Sequence, residues 1–423
     1  MRLLMTGNVG ESLPPPYAGI PKRALLIAGS MREAGHQVGL AFVYRHEHED
    51  DLGAGGTYFF DYDHAPTKLT KVGFILTHAL RNPYLYGCLV WAYVCAHRFL
   101  SREALVNAAH GVHLDSIVAS FKPDLILSEA AIIRTFMAAQ IAVRRNIPIV
   151  FDTYAEVHDR SILKLRGGEA HRTAYWKELL TIPELVIAPS YYCGKGPAEF
   201  VSPEKVKVIY AGIEFEKYRD CPLTKEEART RLGLPLDAFL VVAVGSLSPR
   251  KGHDHMIEAI SMMDASLNAQ AVICGPGDAT WLRELTKEYG IANRSHFFTG
   301  LSEEDLIALY RAVDVYCDAS NTPRACLGMS VTEAMAIGKP IVAYDTAGLP
   351  EIVHDNKNGY LVPLDDIVAL SQTLTCVAKL SEAEYTRLSE ESVRLAGELV
   401  ELGACTRQMM SALEEVYQKA QRK

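Results

Sequence analysis

Three stretches in the second half of the chain combine residue types that can hold a phosphorylated ligand. In VGSLSPRKG, residues 244–252, a strand pattern ends at Gly245 and a short loop carries Arg250 and Lys251 ahead of a helix near His253. Cations in a strand-to-helix loop suit a phosphate, and the helix N-terminus adds partial positive charge. In ICGPG, residues 273–277, Gly275 and Gly277 follow a strand and precede a helix. That spacing lets backbone amides approach a ligand, and it equally builds an ordinary tight turn. In ACLGMSVTEAMAIGKPIVAYDTAGLPEIV, residues 325–353, Gly328 opens a helix that carries Glu333 in its second turn and stops at Gly338. A carboxylate there can accept two hydroxyls at once, as a ribose 2',3'-diol offers them; an exposed helical glutamate is the plainer alternative.

These loops need a scaffold, and the hydrophobic pattern supplies one. Short continuous apolar runs alternate with helical patterns along the chain. In the first half the runs are RLLMTG, HQVGLAFVY, DLILS, IPIVFD, ELVIAPS and KVKVIYAGI. In the second they are FLVVAVGS, AQAVICGPG, SHFFTG, DVYCDAS, KPIVAYD and GYLVP. Runs without polar alternation suit strands covered on both faces, so the expected class is α/β with two doubly wound, Rossmann-like parallel sheets. The length of 423 residues fits two domains. The expected limits are 1–213 and 214–400, with a charged linker at 214–234 and a terminal helix, 401–423, that packs back on the first domain. Residues 53–109 show no α/β alternation until a helical stretch near Tyr86 and read as an elaboration on the first domain. Ligands on such sheets bind outside the carboxyl ends of the strands, so two facing sheets predict a site in the cleft between domains.

Composition narrows the partners. A formal net charge of −8 disfavours nucleic acid. The nine cysteines form no CxxC pair and read as buried, reduced thiols, which points to the cytoplasm. The start, MRLLMTG, is too short an apolar run for a signal peptide. The run YLYGCLVWAYVCAHRFL, residues 84–100, falls short of the roughly 20 residues that cross a bilayer, so a buried or surface-docked helix is expected, with peripheral membrane contact open.

Taken in order, residues 241–363 resemble the donor-binding domain of glycosyltransferase family 4, retaining enzymes of GT-B architecture. The resemblance rests on the strand with PRKG, the GPG turn, HFFTG, DLIALYRAVDVYCDAS, and the block from Gly328 through EAMAIGKP to GLPEIV. The first half is similar more loosely, through AGIPKRALLIAGSMREAGHQV, PDLILSE and VIYAGIEFEKY. The resemblance implies that Lys251, with Arg250, neutralises a donor diphosphate and stabilises it as the leaving group. Glu333 would hold the ribose. Gly245, Gly275 and Gly277 would line the donor, and Gly328, Met329 and Ser330 would offer amides to the diphosphate. Gly19 would let the first-domain loop approach the phosphates. No metal or cofactor beyond the nucleotide-sugar co-substrate is implied.

Three positions depart from the family pattern. The first of its two glutamates falls on Ala325, leaving only a backbone amide there. Ser246 stands where an arginine is frequent; Arg250 or Arg324 would cover the charge. Glu129 stands where many members have a histidine, and there it would orient an acceptor hydroxyl or share its proton; a helix-capping role is the alternative. The acidic set Glu129, Asp152, Glu156 and Asp159 suggests a polar or cationic acceptor. The expected function is a cytoplasmic hexosyltransferase-like enzyme that moves a sugar from a UDP-sugar, before a GDP-sugar, to a small-molecule, glycan or lipid-linked hydroxyl acceptor. The alternatives are a nucleotide-sugar-binding protein that has lost catalysis and a GT-B nucleotide-sugar epimerase.

Overall fold

The computed structural model describes residues 1–7, 19–41, 57–58, 68–97, 102–130, 133–157, 168–322 and 326–422. The chain divides into two compact units, Met1–Ile209 with Thr406–Lys423, and Tyr210–Cys405. The first unit contains β1 (Arg2–Gly7), α1 (Gly19–Glu33), β2 (Gln37–Ala41), β3 (Thr57–Tyr58), α2 (Lys68–Arg81), α3 (Pro83–His97), α4 (Arg102–Phe121), β4 (Leu125–Glu129), α5 (Ile133–Arg145), β5 (Ile149–Asp152), α6 (Gly168–Thr181), β6 (Leu185–Ala188), α7 (Tyr191–Ala198) and β7 (Val206–Val208). The second contains α8 (Phe215–Arg219), α9 (Lys225–Leu232), β8 (Phe239–Val244), α10 (His253–Ser261), β9 (Ala269–Cys274), α11 (Thr280–Glu288), β10 (Ser295–Phe298), α12 (Glu303–Ala312), β11 (Val315–Asp318), α13 (Met329–Ala336), β12 (Ile341–Tyr344), β13 (Gly359–Val362), α14 (Ile367–Ala378) and α15 (Glu382–Val400). The last helix, α16 (Leu402–Gln421), starts in the second unit and ends in the first.

The first sheet has the order β3-β2-β1-β4-β5-β6-β7, all parallel. Successive strand residues point to opposite faces, and both faces are covered. Leu4, Ile126, Phe151 and Val186 pack under α3, α4, α5 and α6, with Leu89, Tyr93, Met137 and Trp176 among the buried partners. Leu3, Met5, Leu125, Leu127, Val150 and Ile187 pack on α1 and on the end of α16, through Ala28, Met31, Met409 and Leu413. This two-sided burial is why the strands read as unbroken apolar runs.

The second sheet has the order β10-β9-β8-β11-β12-β13, also parallel. Leu240, Val242, Tyr316 and Ile341 face α8, α12, α13 and α15. Val241, Ala243, Val315 and Val342 face α10, α11 and α14. The stretch expected as a linker is structured and belongs to this unit. Its α9 carries a capping box, in which the Thr224 side chain accepts from the Glu227 amide, and Gly233 in the left-handed region ends it. Buried Arg229 ties it down by donating to the Ala312 carbonyl (2.8 Å) and to Asp314 Oδ2 (2.8 Å).

Candidate functional site

Strand β8 has β9 on one side and β11 on the other. The chain order therefore reverses between β8 and β11, and a crevice opens at their carboxyl ends. The loops expected to hold a ligand leave from that edge. Leu247 N–H donates to the Pro276 carbonyl (2.9 Å), joining the loop after β8 to the loop after β9. Asn321 N–H donates to the Arg250 carbonyl (3.2 Å), joining it to the segment after β11.

Two glycines are required by close approach. A Cβ on Gly275, whose φ is +155°, would lie 1.8 Å from the Gly245 carbonyl oxygen. One on Gly252, φ +63°, would lie 1.8 Å from that of Ala319. Lys251 is half-buried and Arg250 is exposed. The Lys251 stem lies over Gly245, where a Cβ would sit 3.1 Å from its Cε. Burying the stem while the ammonium reaches the edge is how a lysine presents its charge.

The α13 N-terminus is tied to the same edge. The Tyr316 hydroxyl bonds both the Val244 carbonyl (3.2 Å) and Ser330 Oγ (2.8 Å). Gly328 caps α13 in the left-handed region without a side-chain cap, so the amides of Met329 and Ser330 are those that helix geometry leaves without intrahelical partners. His253, 1% exposed, holds the loop from behind: Nε2–H donates to the Ser246 carbonyl (3.3 Å). Burial lowers its pKa, so the ring is neutral at pH 7.

Glu333 is not the exposed helical glutamate of the plainer alternative. It is 5% exposed, and its Oε2 accepts from the Tyr310 hydroxyl (2.9 Å) while Tyr218 also donates to the carboxylate. Burial and this carboxylate both push the tyrosine pKa values up, so the hydroxyls stay protonated donors. Lys339, from the same sequence block, is structural: its Nζ donates to the Arg311 (3.1 Å) and Val313 (2.8 Å) carbonyls ahead of β11, the sheet edge opposite the glycine loops. Burial pulls its pKa down to about 7.

In the first unit β1 lies between β2 and β4, so a second reversal falls between β1 and β4. Register places Gly7 beside Glu129 and Glu129 beside Asp152 at the carboxyl edge. Glu129, expected to meet an acceptor, is instead fully enclosed, 0% exposed, with Oε2 accepting from the Tyr154 hydroxyl (2.9 Å). Asp152, also 0% exposed, pairs with Arg23 Nε (3.0 Å). Burial, then the neighbouring Asp152, hold the Glu129 carboxyl well above the usual carboxylate range. Burial also raises the pKa of Asp152, while the Arg23 guanidinium opposes that shift. Glu156 is buried as well, accepting from the Tyr154 amide (2.7 Å). Glu129, Asp152 and Glu156 are thus engaged in internal contacts; Asp159 lies outside the described residues. Beside Glu129, at the ends of β1 and β2, is a pocket lined by Thr6, Gly7, His110, His113, Arg134 and Met137 among others, with no carboxylate among the described lining residues.

The buried acid gives a pH prediction. Unfolded, Glu129 ionises above about pH 4.5, whereas folded it keeps its proton to higher pH. The folded state therefore binds more protons in that window, and stability falls as pH rises through it. Glu129→Gln mimics the protonated acid, so it should gain on the parent by up to about 1.4 kcal/mol per pH unit above the unfolded pKa. Urea unfolding at pH 5, 6 and 7 measures this; parallel profiles for the two proteins would contradict it.

The second unit thus gathers Gly245, Ser246, Arg250, Lys251, Gly275, Gly277, Gly328, Met329, Ser330 and Glu333 around one sheet edge or on the helix tied to it. Gly19 is the first residue of α1, in the other unit. Ala18, Arg324 and Ala325 lie outside the described residues. Sequence reading missed Tyr310, Tyr316 and Arg23. Arg23 had a signal: it is four and eight residues before Ile27 and Met31, on the apolar face of α1. The thiols are free but not all buried, with Cys88, Cys95 and Cys376 exposed. Among the described residues no helix is long and apolar enough to cross a membrane, and no group of His, Cys, Asp and Glu could hold a metal ion.

Comparison with known proteins bears on this edge. Residues 224–392 match the family model described as glycosyl transferases group 1. D-inositol 3-phosphate glycosyltransferase of Saccharomonospora viridis is 30% identical over 188 residues, 42% of this chain and 43% of that protein. The enzyme of the same name from Salinispora tropica is 33% identical over 189 residues, 41% and 38% of the two chains. The chain spans less than half the length of these curated relatives. Solved structures match from end to end at low identity. Sucrose-phosphate synthase from Thermosynechococcus elongatus superposes with a TM-score of 0.78 at 18% identity, covering 99% of this chain and 100% of that one. Anabaena HepE, solved with UDP and glucose, gives 0.75 at 18%, covering 98% and 100%. The glycine loops, Lys251 and Glu333 all lie inside residues 224–392, the segment that matches the glycosyl transferases group 1 family, and the fold is that of the GT-B structures.

Proposed function

We propose that the chain is a cytoplasmic, retaining glycosyltransferase that uses a nucleotide sugar, a UDP-sugar before a GDP-sugar. The observation that carries this reading is the convergence of Lys251, the uncapped α13 N-terminus and Glu333 at the reversal between β8 and β11. A diphosphate at that edge meets the Lys251 charge and the Met329 and Ser330 amides, with Arg250 at the rim. Glu333, aimed by Tyr310 and Tyr218, takes the ribose hydroxyls. Negative charge grows on the diphosphate as the glycosidic bond breaks, so the fixed positive groups act most strongly at the transition state. HepE, of the same fold, was solved with UDP.

The acceptor is proposed to bind the first unit at the carboxyl ends of β1 and β2. Arg134, His110 and His113 line the pocket there, so an acceptor bearing an anionic group suits it better than the cationic one the acidic residues suggested. Glu129 is not proposed as the base, because its carboxyl is enclosed in the fold. Proton NMR of UDP-glucose turnover tests the reading. Donor consumption that yields the α-anomer first supports a retaining transferase. Ala325, where the family has an acid, favours a second reading, binding without turnover; that reading would replace the first if UDP binds and no donor is consumed. Release of a free 2-epimer would instead mark an epimerase.

A further inference from the structure

Helices α2 and α3 each expose large apolar side chains that the transferase reading does not use. On α2, Val72, Leu76 and Leu80 are 53%, 55% and 80% exposed, at a spacing of four that puts them on one stripe. On α3, Tyr84 and Trp91 are 71% and 69% exposed, and Gly87, Cys88 and Cys95 are exposed between and beyond them. The opposite sides of both helices are anchored: His78 on α2 and Leu85, Leu89 and Tyr93 on α3 are buried. The exposed side is therefore a fixed surface on helices that pack against α4.

Charge separates this surface from the rest of the chain. The segment 68–97 contains no Asp or Glu, but carries Lys68, Lys71 and Arg81, on a protein of net charge −8. Arg144, from α5, stands over the Tyr84 ring with Cζ 5.7 Å from its centroid, adding a cation at the edge of the apolar stripe. Neither helix is long enough to span a bilayer: α2 has 14 residues and α3 has 15, against the roughly 20 required. Apolar side chains on one side, an exposed Trp and Tyr, flanking cations and no acids are the features of a helix pair lying in the interface of an anionic membrane. A protein partner would not require the complete absence of carboxylates over 30 residues.

We infer that the α2–α3 face docks the first unit on the surface of an anionic lipid bilayer. The inference concerns a surface apart from the glycine loops and does not depend on the transferase reading.

The test is sedimentation of the full chain with vesicles of phosphatidylcholine alone or mixed with phosphatidylglycerol, at low and high salt. The expected result is binding to the anionic vesicles that weakens with salt, and at least about tenfold weaker binding for Leu76→Glu/Trp91→Glu. Both positions are exposed, so folding should survive, and an unchanged melting temperature checks it. Arg81→Glu should weaken anionic binding further by lost attraction. Binding equal on neutral and anionic vesicles, or no binding to either, overturns the inference. So does concentration-dependent self-association without lipid that the double variant abolishes, which would make a second copy of the chain the occupant. Nucleotide binding by the double variant is read in parallel: if it stays intact while lipid binding is lost, the two properties are separate.

Discussion

Lys251→Ala is expected to lower sugar transfer from the nucleotide donor by about 10²–10³-fold in kcat, the range for removing one preorganised donor to a developing negative charge. The lysine stem lies over Gly245, and its loop is fixed on both sides by the bonds to Pro276 and Asn321. The charge therefore needs no reorganisation when the bond to the diphosphate breaks. Because the side chain is half-buried at a sheet edge, its loss should cost the fold little, and an unchanged melting temperature separates a catalytic effect from a structural one. Lys251→Arg should fall between, since a guanidinium keeps the charge with a different geometry. Initial rates with saturating donor give the answer; a change within twofold for the alanine variant would remove Lys251 from the site.

The second large effect is on stability. Arg23→Met should destabilise the first unit by about 3–5 kcal/mol, because it leaves a buried carboxylate without its counter-charge. Arg23 is 3% exposed, and Nη2 also donates to the Ile209 carbonyl (3.3 Å), so it links α1 to β5 and to the residue after β7. Pairing it with Asp152→Asn removes the orphaned charge. The double variant should recover much of the loss, since the two changes share one interaction. Urea midpoints for the two single variants and the double variant measure it; strictly additive losses would mean that the pair is not coupled.

Where the sequence could be read and where it could not has a physical basis. The strands of both sheets are legible because burial on two faces leaves no polar residue to break the runs, as in Leu240 to Ala243. The candidate donor residues are legible because each lies in the loop right after a strand or in the helix that follows, so local order in sequence becomes proximity at one sheet edge. The enclosure of Glu129 is not legible because it is not a local property: Arg23 reaches it from α1, and Asp152 and Tyr154 from the end of β5. The same is true of Glu333, whose partners Tyr218 and Tyr310 come from α8 and α12. Helix α3 is hard to read because its outward side is apolar too, which erases the polar–apolar periodicity that marks a helix.

The central claim is that the edge between β8 and β11 binds a nucleoside diphosphate. Thermal unfolding with UDP, GDP, ADP and their sugars tests it most directly. At roughly 100 times its dissociation constant, the preferred nucleotide should stabilise the fold by about 2.7 kcal/mol. UDP is expected to lead the panel, with a smaller shift in Lys251→Ala. No shift with any nucleotide, or an equal shift in the parent and in Lys251→Ala, would contradict the account.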